Sequence, residues 1–219
     1  MEPGKTQAIV KFEAQRASEA FDGTGQLVPI PVHHDFAADL FVERGVTERL
    51  TLQGKFYLAS AKEDGLSQTA YGNSELGARW TAYEGPKGVL SFYTGLTLPV
   101  AGAEKGRAGF EARVLLGRAV KLGPRKLVTE VQLATLTGSG YGRETRLDGT
   151  LGLELTENWG LMAQMQCGQI ENGASWLKDE YSITRKIGKN SIQIGWRQTP
   201  FAKNFTKASG PIVGLWRRF

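Results

Sequence analysis

One cysteine and two histidines are all that this chain offers of those residue types, and no apolar run is long enough to cross a bilayer as a helix. The lone Cys167 excludes an internal disulfide. The histidines stand side by side as His33-His34-Asp35, without the spacing of a usual metal-ligand set. No segment sustains a helical period. The net charge is +5, but basic and acidic residues are interleaved and scattered over turns and loops. That is not the clustered footprint of a nucleic-acid binder. The Gly-rich stretches Asp22-Gly23-Thr24-Gly25 and Gly138-Ser139-Gly140-Tyr141-Gly142 join strands and open no helix, so they read as loop tips and not as phosphate cradles.

Alternation is what the chain does have. Side chains of a strand point alternately to opposite faces, and on that template about twelve segments of roughly ten residues can be read, the length that spans a bilayer when tilted. In residues 191–198, Ile192, Ile194 and Trp196 oppose Gln193, Gly195 and Arg197. In residues 74–83, Leu76, Ala78, Trp80 and Ala82 oppose Glu75, Gly77, Arg79 and Thr81. Leu50, Leu52, Phe56 and Leu58 oppose Thr51, Gln53, Lys55 and Tyr57; Phe110, Ala112, Val114 and Leu116 oppose Glu111, Arg113 and Leu115. Weaker segments keep the pattern, including Ala8, Val10, Phe12 and Ala14 against Lys11 and Glu13.

The connectors alternate too. Short turns such as Gly123-Pro124-Arg125 and Gly188-Lys189-Asn190 alternate with connections that are generally longer and more polar, expected at residues 19–32, 60–73, 99–108, 138–144, 170–175 and 201–207. The first of these holds the apolar, Pro-rich Gln26-Leu27-Val28-Pro29-Ile30-Pro31-Val32, long enough to fold into a barrel mouth. Short turns on one side and longer loops on the other are the asymmetry of bacterial outer-membrane barrels.

The expected fold is therefore all-β: a closed, antiparallel, up-and-down transmembrane β-barrel of about 12 strands, one domain over residues 1–219. Only alternate residues need to meet lipid, which reconciles a 41% hydrophobic chain with a membrane. A soluble lipocalin-like barrel also alternates, but it turns its apolar face inward and usually has fewer strands. Charges on nearly every polar face favour the membrane reading. Cys167 falls on the apolar phase and is expected to face lipid. Tyr83, Trp159, Tyr181, Trp196 and Phe219 are expected in aromatic girdles.

The C-terminal string Gly210-Pro211-Ile212-Val213-Gly214-Leu215-Trp216-Arg217-Arg218-Phe219 resembles the last strand of Gram-negative outer-membrane barrels. The resemblance implies that Phe219 is the signal read by the barrel-insertion machinery. An exported protein needs a signal peptide. Met1-Glu2-Pro3-Gly4 leads directly into the first strand, so the chain is expected to be the processed form.

Strand parity also predicts the lumen. Lys11, Glu13, Asp39, Lys55, Tyr57, Glu75, Arg79, Tyr93, Glu111, Arg113, Glu130, Asp148, Lys178, Glu180 and Arg197 are expected to line it. Either these charges pair across the barrel and partly fill it, or they line a water-filled path that orients polar solutes. The second arrangement implies an outer-membrane pore for passive diffusion of small polar, anionic or aromatic solutes. Lys and Arg would hold anionic groups there, and Tyr57 or Tyr93 would slide along a ring. A closed structural or surface-binding barrel is one alternative. The other is a Ser/His lipid hydrolase using His34 with Asp35, although no Ser motif stands out. No catalytic set, metal site or cofactor is expected. Expected partners are outer-membrane lipids and the solute, with a monomeric state and no nucleic acid. Loop bases Lys62, Lys105, Arg107, Arg143, Lys203 and Lys207 are expected to form a solvated rim; the alternative is that they meet lipopolysaccharide phosphates or an anionic solute, and lipopolysaccharide is counted among the expected partners.

Three strings carry a narrower resemblance: Ser74-Glu75-Leu76-Gly77-Ala78-Arg79-Trp80, Gly95-Leu96-Thr97-Leu98-Pro99 and Leu151-Gly152-Leu153-Glu154-Leu155-Thr156-Glu157-Asn158-Trp159. They resemble the small outer-membrane barrel family linked to meta-pathway phenol degradation. The resemblance covers the C-terminal two-thirds and implies transport of aromatic compounds. This chain has Val-Ala-Gly after Pro99 where that family has Thr-Gly.

Overall fold

A computed structural model describes residues 1–63, 69–100, 108–138 and 141–219. Every regular element among them is a β-strand. In chain order these are β1 (Thr6–Phe21), β2 (Leu27–Gly45), β3 (Leu50–Glu63), β4 (Thr69–Gly85), β5 (Gly88–Pro99) and β6 (Gly109–Leu122). There follow β7 (Arg125–Gly138), β8 (Tyr141–Glu154), β9 (Trp159–Ile170), β10 (Ser175–Ile187), β11 (Asn190–Lys203), the two-residue β12 (Phe205–Thr206) and β13 (Ser209–Arg218). Each long strand pairs antiparallel with its sequence neighbour, and β1 pairs with β2 on one side and with β13 on the other. The result is a closed antiparallel barrel of 12 spanning strands. Closure leaves no sheet edge across the spanning part of the barrel, where a bilayer would leave backbone groups unsatisfied.

The seam runs from Gln7 opposite Arg218 to Arg16 opposite Ser209; above it, β12 continues the pairing with Phe21 opposite Phe205. The chain ends sit together, the amide of Phe219 donating to Thr6 O at 2.9 Å. Tight turns occupy the same end of the barrel. In two of them Gly123 (φ 63°) and Gly188 (φ 60°) open a two-residue hairpin, where the primed turns that match strand twist require a positive φ.

The polarity of the fold is inverted relative to a water-soluble protein. Leu76 is 71% exposed, Ile194 61% and Leu96 60%, whereas Glu111 and Glu180 are each 2% exposed. Exposed leucines, phenylalanines and tryptophans form an outer belt, and Trp80 stacks on Phe92 within it at 6.3 Å. Cys167 pairs in register with Leu147 on this outward phase. Among the aromatics read as girdle residues, Tyr83, Trp159 and Phe219 lie at the turn end, while Tyr181 and Trp196 pair with each other in mid-strand.

One expected loop is a strand. The segment containing Pro29 and Pro31 does not fold into the mouth; it extends β2, with Leu27, Val28 and Pro29 opposite Phe21, Ala20 and Glu19. β3 is paired with β2 as far as Glu63, opposite His33, and among the described residues no strand pairs with the other side of this stretch of β2. Proline, which lacks a ladder donor, is tolerated there, and the register shifts between Ala17 and Glu19. The connection itself is Asp22 to Gln26, tied by the Asp22 carboxylate accepting from the amides of Thr24 (2.8 Å) and Gln26 (2.9 Å). Lys62, Arg143 and Lys203 likewise lie on strands and not in loops. Lys105, Arg107 and parts of the connections expected at 60–73, 99–108 and 138–144 lie outside the described residues.

Candidate functional site

The inner wall concentrates the charge of the molecule. Its side chains come from the phase opposite the apolar belt, and three networks organise them.

The first straddles the seam. Glu180 of β10 accepts from Lys11 of β1 at 2.7 Å, from Arg197 of β11 at 2.6 Å and from Gln193 at 2.8 Å. Arg197 also bonds Glu13 of β1. Gln193 in turn accepts from the Trp216 indole at 3.1 Å. These bonds pass over β13, whose inward phase there is Gly210, Ile212 and Gly214. Gly214 stands opposite both Lys11 and Gln193, and a Cβ there would come within 3.0 Å of Gln193 Oε1, the oxygen that accepts from Trp216.

The second network lies on β4 to β8. Arg113 bonds Glu111 at 2.6 Å and also Glu75, while Arg146 bonds Glu111. Tyr93 donates to Glu75, and the Arg113 guanidinium lies 4.3 Å from its ring centre. Tyr93 is 3% exposed because it lies flat over two glycines: a Cβ at Gly77 or Gly95 would come within 2.3 or 2.2 Å of its hydroxyl oxygen. A ring held in this way offers little surface to a passing solute.

The third network is on β2 to β4. Arg79 meets Glu43 at 3.2 Å, Gln53 donates to Glu43 at 3.1 Å, and Lys55 meets Asp39 at 3.1 Å. Tyr57 packs against Tyr71 with ring centres 6.2 Å apart.

Three of the expected lining charges stand outside these ion pairs. Asp148 accepts from Gln132 at 3.0 Å and, among the described residues, from no base. Glu130 is exposed on the inward phase, next to the outward Val131. Lys178 lies 5.1 Å from the Phe205 ring, which stacks on Trp176 at 5.4 Å.

The direction of the bonds answers how the wall charges are arranged. Among the described residues, every inner-wall ion pair joins strands at most three apart around the barrel, and none joins opposite sides. Glu75, Glu111 and Arg113 do pair, but along the wall. Arg79 pairs with Glu43 instead of with that group.

Parity reading missed Arg146, Glu144 and Gln193. Arg146 and Glu144 share the phase of Asp148, so extending that strand outward finds both; Gln193 was on the inward face and carried no charge to mark it. The histidine pairing also differs from expectation. His33, not His34, meets Asp35, at 3.0 Å, because residues two apart share a face. Among the described residues no group of three or more His, Cys, Asp or Glu is placed to hold a metal ion.

No protein-family model and no curated protein matches the chain. Solved structures do. An outer membrane channel from Pseudomonas putida F1 superposes with a TM-score of 0.79 at 14% identity, over 100% of this chain and 97% of that one. The KdgM porin matches with a TM-score of 0.60 at 8% identity, over 95% and 99% of the respective chains. LpxR from Salmonella typhimurium matches with a TM-score of 0.59 at 9% identity, over 97% and 99%. At these identities the likeness is one of fold, and that fold is the outer-membrane β-barrel.

Proposed function

We propose that the protein is a monomeric outer-membrane channel that gives small polar solutes a passive path, with a preference for cations over anions. The carrying observation is that the inner-wall charges bond to one another along the wall and not across it. Such a wall lines a bore rather than filling it, and a barrel of about twelve strands is intermediate between side-chain-filled barrels and wide porins. The similarity to a P. putida outer membrane channel and to a porin supports the same reading.

The cation preference follows from which charges are spoken for. Lys11, Arg113 and Arg197, expected to hold anionic solutes, are each bonded to carboxylates. Among the described residues Glu130 and Asp148 are not joined to a base, so their field acts on whatever enters the bore. Lys178, beside Trp176 and Phe205, is the counterweight: a place near the loop-side mouth where an anionic or aromatic group can make contact.

Single-channel recording of the refolded protein under a salt gradient tests this. Discrete steps with a reversal potential on the cation side are expected. Silence from a sample whose heat-modifiable gel shift shows it folded would refute the pore.

A second reading is favoured by one observation, the His33–Asp35 pair in a fold shared with LpxR. A lipid hydrolase of this kind predicts that any esterase activity is lost in a His33→Ala/His34→Ala variant. Undiminished activity would remove the histidines from consideration.

A further inference from the structure

The outward face carries its own unpaired charge. Arg16 of β1 stands opposite His34 of β2, and His34 opposite Lys62 of β3. All three share the outward phase of Phe12, Phe36 and Leu58, which are 56%, 57% and 41% exposed. Strands about 4.8 Å apart make this a row roughly 10 Å long. No carboxylate bonds to any of the three among the described residues. The outward acids nearby are engaged elsewhere. Asp179, three strands away on β10, accepts from Gln198 of the adjacent β11, and Glu19 is paired with Lys207 at 2.9 Å.

Directly beneath the row, beginning one outward residue further along at Ala14 of β1 and Phe36 of β2, the surface is hollowed. A groove of about 470 Å³ has Ala14 and Ala38 in its floor and Phe12, Phe36, Leu58 and Val213 as its walls. Small residues on adjacent strands between large ones leave a furrow in the apolar belt. The row lies on the loop side of the groove, away from the chain ends.

We infer that this is a binding site for lipid A of lipopolysaccharide: a phosphate seats on Arg16, His34 and Lys62, and an acyl chain lies in the groove below. The chemistry that fits is an amphiphile with a multiply charged phosphate headgroup and packed acyl chains, on the loop-side leaflet. Charge-assisted bonds from arginine and lysine hold the phosphate, and apolar contact holds the chain. The inference rests on the membrane part of the reading above and not on conductance.

Native mass spectrometry of the refolded barrel in detergent, titrated with bisphosphorylated lipid A, tests it. One lipid A per barrel is expected to survive on the unaltered protein. Affinity should fall about tenfold or more in Arg16→Gln/Lys62→Gln, and comparably in Ala38→Leu, which fills the groove. Affinity unchanged in the charge variant overturns the site. So does displacement of lipid A by phosphatidylglycerol at equal concentration, which would make the surface a general anionic-lipid contact. Conductance of the same samples is expected to be unaltered, so failure of the lipid site and failure of the pore are read separately.

Discussion

Lys11 and Glu180 are 169 positions apart in the chain and meet at 2.7 Å across the line where the barrel closes. Glu180 gathers donors from β1 and β11, and Arg197 returns a second bond to β1 through Glu13. Side chains thus bind the first strand to the tenth and eleventh over the short last one.

Glu180→Gln is therefore expected to destabilise the barrel more than Lys11→Met. The first leaves two cations facing each other without their shared carboxylate, on the order of 3–5 kcal/mol. The second removes one donor of three, about 1–3 kcal/mol. Urea midpoints of the folded gel band measure both, and the reverse order would contradict the central role of Glu180.

Arg113 sits between Glu75 and Glu111 and against the Tyr93 ring. Arg113→Ala takes from Glu75 its bonded base, leaving it the Tyr93 hydroxyl, and leaves Glu111 to Arg146. The reversal potential should move further to the cation side, with a stability loss of about 3 kcal/mol or more. An unchanged reversal potential in a folded sample would separate this network from permeation.

Glu130→Gln and Asp148→Asn should do the opposite at little cost. Among the described residues neither carboxylate is bonded to a base, so neutralising them is expected to reduce cation preference while leaving stability within about 0.5 kcal/mol of the parent. A large loss of stability would reveal a structural role instead.

Tyr93 and its glycine bed are a single packing unit. Tyr93→Phe removes one hydrogen bond to a carboxylate, about 1.5–3 kcal/mol. Gly95→Ala drives a methyl into the ring and should cost more. In the Gly95→Ala/Tyr93→Ala double variant the clash is gone, so the second substitution should cost less than it does alone. Additive losses would refute the coupling.

The Asp22 turn is expected to respond to acid in a defined direction. The Thr24 hydroxyl and the amides of Gln26 and Thr24 hold its carboxyl below the ordinary carboxylate range. Its contribution is present at neutral pH and is lost as pH falls through that lowered value. Amide exchange at Thr24 and Gln26 should accelerate only in strong acid in the parent. In Asp22→Asn it should show no such step.

Much of this architecture was legible because lipid and water sort side chains on a period of two. Leu76 against Glu75, or Ile194 against Gln193, fixes a strand and both its faces from a few letters. Parity also placed Glu180 and Arg197 on one wall. It could not show that Lys11 joins Arg197 on the Glu180 carboxylate, because that depends on β13 lying between β1 and β11 after closure. Pro29 and Pro31 misled for a related reason. Proline signals a loop where both strand edges are paired, but among the described residues no strand pairs with one side of this stretch of β2. The hydrogen bond of Asp35 to His33 instead of His34 follows from the same alternation, applied one residue more carefully.

The meeting of Thr6 with Phe219 makes the barrel a ring in all but covalent connection. A short linker could join those ends, and new ends could be opened between Asp22 and Gln26, without disturbing a spanning strand. Such a circular permutant would keep every wall and belt residue in place but carry no terminal phenylalanine. β13 closes the cylinder, and the resemblance of the C-terminal string to the last strand of outer-membrane barrels gives Phe219 an expected second task, recognition for delivery. Rewiring the chain would assign the two tasks to different molecules, so that each could be measured without the other.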